Sequence, residues 1–279
     1  MSKLLFFDID GTLAYPGQQP SDATIRALRA AQRNGHKILI STGRTANAVP
    51  KHIAAIGFDG GVYSAGGYIV IDGKVLANRT MPDNMARNIV RELERDGFFY
   101  ILECAEGRFK SENAEQLLHG LDLSRASSEM QRLAHEIFFS SDLYTMRDYN
   151  GEPVYKIGFF GTDTSKIHAL SQNLDPDTKV VYFENLVPDF PILSGEVSDF
   201  RINKGTGLQT VCAHYRKTPD DCIAFGDSMN DAEILQAAGL GIAMGNAEPR
   251  VKELADDICG SCKEDGVAKA LASMHLIAG

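Results

Sequence analysis

Apolar residues fall along this chain in two rhythms. The short, nearly continuous runs Lys3–Phe7, Lys37–Ile40, Cys222–Phe225 and Leu240–Met244 predict strands buried on both faces, as in a parallel sheet covered by helices. Between them, apolar positions recur three and four apart. Ser21 caps a predicted helix through about Arg33, with Ile25, Leu28 and Ala31 on one stripe and Gly35 as its stop. Thr45–Ile56, Lys204–Tyr215 and Asp231–Ala238 read as further helices, the last ended by Gly239. Val62-Tyr63 reads as another strand end, and Tyr68–Val75 around Asp72-Gly73 as a small hairpin. Strand-helix alternation of this kind predicts an α/β fold built on a doubly wound parallel sheet.

The middle of the chain has a different pattern. Asp83–Gly97 is a predicted helix carrying Met85, Ile89, Val90 and Leu93. Phe98–Cys104, a helical Ala114–Leu121, Tyr155–Gly161, Lys166–Leu174 and Lys179–Phe183 follow, separated by polar loops such as Asp122–Ser128 and Ser140–Pro153. Residues 83–199 are therefore expected to form an inserted α+β domain between core segments 1–82 and 200–279. Hinges are expected near Thr80-Met81-Pro82 and Asp199–Asn203.

The 279 residues carry a formal net charge of −9, with 44% hydrophobic and 23% charged residues. That is an ordinary globular composition, not a disordered one. The acidic balance argues against nucleic acid or an anionic membrane as partner. It leaves room for a small anionic substrate, because a bound cation inverts the local field. The longest apolar run, Ala237–Gly245, falls well short of the 18 or more residues of a membrane span. Met1-Ser2-Lys3 leads straight into Leu4–Phe7, and Asp8 and Asp10 interrupt any signal-peptide core, so a cytosolic (cytoplasmic) protein is expected. The 5 cysteines are scattered, and Cys259-Gly-Ser-Cys262 supplies only half of a tetrahedral zinc site, so both cysteines are read as incidental.

The chemistry concentrates at the ends of the predicted strands. Asp8-Ile9-Asp10-Gly11-Thr12 follows the first strand, where open α/β sheets bind their ligands. Strand alternation puts Asp8 and Asp10 on one side, and two carboxylates so close call for a cation or a shared proton. Ser41-Thr42-Gly43-Arg44 follows the second strand and opens a predicted helix, which together suggest a phosphate cradle of backbone N–H groups. Gly226-Asp227-Ser228-Met229-Asn230-Asp231 follows another strand, with Asp227 and Asp231 four apart. Such hard oxygen ligands suit Mg²⁺ better than zinc. Lys204 begins a helix where the core resumes. Acids, a hydroxyl and a lysine at one sheet edge are what phosphoryl transfer requires.

These four strings resemble the haloacid dehalogenase superfamily: D-x-D-G-T at Asp8–Thr12, the second motif at Ser41–Arg44, the third at Lys204, and G-D-x-x-N-D at Gly226–Asp231. The S-T-G-R form, Asn203-Lys204-Gly205 and the long insert resemble the Cof-like phosphatases in particular. The resemblance implies a Rossmann-like core with an inserted cap, and a Mg²⁺-dependent phosphatase acting on a small phosphorylated metabolite such as a sugar phosphate. It implies Asp8 as nucleophile, forming an aspartyl-phosphate, and Asp10 as general acid and then base. Thr42, Gly43, Arg44, Lys204 and Asn230 would bind phosphate or substrate, and Lys204 would restrain Asp8. Asp8, the Asp10 backbone carbonyl and Asp227 would hold the metal, with Asp231 in support. Ala65 occupies a position where the family usually has Asn. Arg87, Arg91, Arg108 and Lys156 of the insert are candidates for reading the substrate. Two other readings share the motifs: a phosphohexomutase-like or sucrose-phosphatase-like enzyme, and a catalytically silent binder of phosphometabolites. Intact Asp8 and Asp10 speak against the binder, since binding needs no nucleophile.

Overall fold

The computed structural model describes residues 2–112, 137, 143–183 and 192–277. The chain divides into two compact units, Met1–Arg79 with Ile202–Gly279, and Thr80–Arg201. The expected helix Ala114–Leu121 and loop Asp122–Ser128 lie outside the described residues. The insert begins earlier and ends later than the pattern suggested, for a packing reason. Met81 is 2% exposed in the second unit's core and donates its N–H to Val154 O, while Phe200 N–H donates to Asp177 O.

The first unit contains an eight-stranded sheet. Its strands in chain order are β1 (Leu4–Phe7), β2 (Lys37–Ser41), β3 (Gly60–Tyr63), β4 (Tyr68–Ile71) and β5 (Lys74–Asn78), then, after the insert, β12 (Cys222–Gly226), β13 (Leu240–Ala243) and β14 (Asp257–Ile258). They lie in the order β14-β13-β12-β1-β2-β3-β4-β5. The first six run parallel; β4 and β5 add an antiparallel hairpin turned at Asp72-Gly73. All four residues of β1 are buried, which is why its sequence is continuously apolar.

The helices of this unit follow the sequence closely in most places. In α1 (Asp22–Arg33) the Ser21 hydroxyl accepts the Thr24 N–H at 3.0 Å, the expected N-cap. Thr45–Ile56 is not one helix: a single 3₁₀ turn, Ala46–Ala48, and the short α2 (Lys51–Ala54) are separated at Pro50, which lacks the N–H a continuous helix needs.

The second unit opens with α3 (Asp83–Asp96). Its sheet has the order β10-β11-β9-β6-β7-β8, from β6 (Phe99–Cys104), β7 (Arg108–Lys110), β8 (Leu143–Thr145), β9 (Val154–Gly161), β10 (Thr178–Phe183) and β11 (Leu193–Asp199). Among the described strands of this sheet, β7 and β8 pair in parallel and the other pairs are antiparallel. Met85, Ile89 and Leu93 of α3 join Leu102, Ile157, Phe159 and Val197 in a core, with Ile167 and Leu170 of α4 (Ile167–Asn173). No helix among the described residues is long and apolar enough to cross a membrane.

Past the insert, the first unit continues with α5 (Lys204–Tyr215), α6 (Ala232–Ala237), α7 (Pro249–Leu254) and α8 (Gly266–Ser273). A core built from both chain segments, including Leu5, Phe7, Leu28, Leu208, Phe225 and Leu271, holds the central strands in fixed register.

Candidate active site

Register brings three of the four motifs level. Phe7 pairs with Ile40 on one side and Phe225 on the other, so Asp8, Ser41 and Gly226 stand side by side one residue further on. Asp227 follows at once. Asn203 caps α5 by accepting the Thr206 N–H at 2.9 Å, and the first helical residue is Lys204.

Lys204 is 1% exposed, and its ammonium donates to three acceptors: Asp231 Oδ1 at 2.6 Å, Asp8 Oδ1 at 2.8 Å and Asn230 Oδ1 at 3.1 Å. Burial alone would pull this lysine down, but Asp231 and Asp8 outweigh it and hold the ammonium above its ordinary range. Asp231 is wholly buried, and its second oxygen accepts the N–H groups of Asp227 at 3.1 Å and Ser228 at 3.3 Å. Both of its oxygens thus have protein partners, and they fix the turn that carries Asp227.

The nucleophile candidate sits at the centre of this charge. Burial pushes the Asp8 carboxyl up to about 7; Lys204 opposes the rise, and Asp231 and Asp10 add to it. Burial, then the charges of Asp8 and Asp231, push Asp227 up to about 8. Oxygens of Asp8, Asp227 and Asp231 lie within 4.8 Å of one another. Three carboxylates, those of Asp8 and Asp231 buried and that of Asp227 half-buried, thus crowd round the ammonium of Lys204. A hard divalent cation would balance that excess and favour the ionised form of each acid, so the residues fit such an ion.

Asp10 follows two residues after Asp8, and its charge acts on the Asp8 carboxyl. Ile9 turns into an apolar cluster with Ile40 and Ile53, and the Asp10 carboxylate is outside the three-acid group. Its two oxygens instead accept from Arg44, Nε at 2.7 Å and Nη2 at 2.8 Å, a bidentate pair that fixes the carboxylate plane.

In the Ser41–Arg44 loop, two backbone amides have partners within the protein. Thr42 N–H donates to Val62 O at 2.9 Å and Arg44 N–H to Thr42 Oγ1 at 3.2 Å, and only a 3₁₀ turn follows. The Thr42 and Arg44 amides are thus taken up within the protein, and a 3₁₀ turn stands where a longer helix was expected; Thr42 is 1% exposed, with Gly43 between it and Arg44. Ala65 is left-handed, with φ 53°, and its N–H donates to Thr42 O, so this turn supports the loop through its backbone alone.

Three further residues join the site without having been singled out in the sequence as ligands. Thr12 Oγ1 donates to Asp227 Oδ1 at 3.3 Å, Ser228 Oγ to Asn230 Oδ1 at 2.9 Å, and Asn246 Nδ2 to Gly11 O at 2.9 Å. Thr12 and Ser228 lie inside recognised strings; Asn246 carries no local signal. In the second unit, Lys156 is bound by Glu196 at 2.5 Å and Glu103 at 3.4 Å, Arg91 is largely exposed beside Glu92, Arg108 is buried and Arg87 is exposed.

The family model for haloacid dehalogenase-like hydrolases matches residues 5–271. Phosphatase YwpJ of Bacillus subtilis (strain 168) is 28% identical, over 99% of this chain and 100% of its own. HMP-PP phosphatase of Enterobacter sp. (strain 638) is 26% identical over 97% and 95%. Among solved structures, the phosphatase BT1666 of Bacteroides thetaiotaomicron superposes with a TM-score of 0.79 at 25% identity, covering 99% of this chain and 96% of that one.

Proposed function

Because the chain belongs to the haloacid dehalogenase-like hydrolases and is a phosphatase, we propose that it hydrolyses a small phosphomonoester, a sugar phosphate or related metabolite, through an aspartyl-phosphate on Asp8. The observation that carries this reading is the buried Asp8 carboxylate on the Lys204 ammonium, one residue past a central strand, with Asp10 oriented two residues on. Asp8 Oδ1 is held by Lys204, and an ionised Asp8 oxygen attacks phosphorus while the leaving oxygen takes a proton from Asp10. Asp10, now anionic, then removes a proton from the water that cleaves the acyl phosphate. Arg44 orients Asp10, and one Asp10 oxygen leaves the bidentate pair to carry the proton that the leaving group takes; Thr42 donates its hydroxyl proton to a phosphate oxygen.

Asp8, Asp227 and the Asp10 carbonyl would hold Mg²⁺, with Asp231 behind Asp227. When bound, the cation neutralises charge on the phosphoryl group and on the crowded acids. The second unit supplies substrate discrimination in this reading, and its basic residues are the candidates for contacting the leaving group.

The test is phosphate release by purified Asp8→Asn protein, since an amide is a far poorer nucleophile. A folded variant with no turnover is expected, as is loss of wild-type turnover after chelation and recovery with Mg²⁺. Wild-type-like turnover by folded Asp8→Asn would overturn the mechanism, and full activity in buffer stripped of divalent cations would overturn the metal assignment. Free phosphate as the product, rather than a relocated phosphate, separates hydrolysis from mutase chemistry.

A further inference from the structure

Asn246 lies in the loop after β13, outside every string that the chemistry explains. Its carboxamide makes two hydrogen bonds, and each fixes one end. The Cys262 N–H donates to Oδ1 at 2.8 Å, and Nδ2 donates to the carbonyl of Gly11 at 2.9 Å. One partner can only donate and the other only accept, so the amide has a single satisfying orientation, and no carboxylate or hydrocarbon could replace it.

Gly11 is held from several sides. Its N–H donates to Ala14 O at 2.8 Å. A Cβ at Gly11 would stand 2.1 Å from Asp227 Oδ2, so the bare Cα is pressed against that carboxylate. With Asn246 on the carbonyl, the plane of the Gly11–Thr12 peptide is set. Thr12, just beyond that plane, reaches Asp227. Asp10 lies immediately before it.

The loop bearing Asn246 is itself anchored to the sheet. Met244 N–H donates to Gly226 O at 2.9 Å, Gly245 N–H to Gly260 O at 3.2 Å, and Lys252 Nζ to Gly245 O at 2.6 Å. Glu248 N–H donates to Asp227 O at 3.2 Å. Asn246 therefore joins an anchored loop to the turn that directly follows Asp10.

We propose that Asn246 is a positioning residue for the acid–base step: by fixing the Gly11 carbonyl, it sets the angle at which Asp10 meets the leaving oxygen. This rests on the reading of Asp10 as the acid and base. A misplaced acid hurts a substrate whose leaving group needs a proton far more than one whose leaving group does not. Loss of stability alone would lower activity on both equally.

The experiment compares kcat, KM and thermal melting of wild type, Asn246→Asp, Asn246→Ala and Asp10→Asn on an alkyl phosphate and on 4-nitrophenyl phosphate. Asn246→Asp keeps an acceptor for Cys262 but faces Gly11 with an oxygen; Asn246→Ala loses both bonds. Both variants should lower kcat on the alkyl phosphate on the order of 10–100-fold, with a smaller loss on the aryl phosphate and KM nearly unchanged. A wild-type ratio between the two substrates in both Asn246 variants, beside a collapsed ratio in Asp10→Asn, overturns the proposal and leaves the acid–base reading standing. A loss in Asn246→Ala without one in Asn246→Asp places the effect at Cys262 and also overturns it. A wild-type ratio in Asp10→Asn overturns both.

Discussion

At Gly11 a single methyl group decides whether the site can form. The residue sits at φ +84°, and an added Cβ would come 2.1 Å from Asp227 Oδ2, far inside contact distance. Gly17 provides the control: its φ is +76°, but nothing lies within 4 Å of its Cβ position. Alanine at either position incurs the left-handed backbone cost of roughly 1–2 kcal/mol. Only at Gly11 must the Asp227 carboxylate also move. We expect Gly17→Ala to lower stability by about that amount with turnover kept, and Gly11→Ala to lose at least about 10²-fold in kcat besides. Thermal melts paired with steady-state kinetics decide it; equal activity in the two folded variants would mean that Asp227 adapts and that the close packing is unimportant. The same residue shows what the sequence could disclose. Asp8–Thr12, Ser41–Arg44 and Gly226–Asp231 are legible because each is contiguous and ends a strand. Arg44 on Asp10 and Asn246 on Gly11 join residues 34 and 235 positions apart, and no local pattern signals either bond.

Elements were legible where side chains display their environment. β1 and β12 bury every residue, and their apolar runs show it. Gly60-Gly61 of β3 has no side chains with which to display a strand, and the break at Pro50 interrupts an otherwise helical pattern. The order of the second sheet depends on long-range pairing, which local periodicity does not encode. The start of the β1–β2 pair contains a titratable element. His36 is 8% exposed, and its Nδ1 accepts the Lys3 N–H at 3.0 Å, so that nitrogen carries no proton. Burial, reinforced by the positive charges of Lys217 and Lys3, lowers its pKa below the ordinary 6.5. The folded state therefore binds fewer protons than the unfolded chain below about pH 6.5. This contribution to stability is complete above that value and is lost as pH falls toward the folded-state pKa. Denaturant unfolding at about pH 7.5, 6 and 5 should show wild type losing stability relative to His36→Asn, whose side-chain oxygen can accept the same N–H without titrating. Parallel pH profiles for the two proteins would show that His36 does not contribute.

For the whole molecule, the question is what each unit does by itself. Each has its own apolar core, one running from Leu4 to Leu271 across both chain segments and one around Ile89, Leu102 and Phe159. All the core motif residues, Asp8 to Arg44 and Lys204 to Asp231, belong to the first unit. The ends of that unit at the insertion point meet at one place. Arg79 N–H donates to Gly67 O at 2.7 Å, and its guanidinium donates to Thr210 of α5 at 3.1 Å. Gly66, next to Gly67, lies so close to Asn203 that an added Cβ would stand 2.2 Å from the Asn203 carbonyl oxygen. A short flexible linker, on the order of five Gly and Ser residues, can therefore replace residues 80–201 without straining either end. The excised protein should fold, because no residue of its main core is removed. It should retain hydrolysis of a small activated phosphate, since every acid and Lys204 remain. It should lose discrimination, with kcat/KM values across a panel of sugar and cofactor phosphates converging to within about tenfold, because one missing or added group in a specificity pocket is worth about 10–200-fold. Circular dichroism and phosphate release on the panel provide the readout. A folded core that keeps the full protein's ranking of substrates would place specificity in the first unit; a folded core with no activity on any phosphate would show that the motif residues need the inserted unit to react.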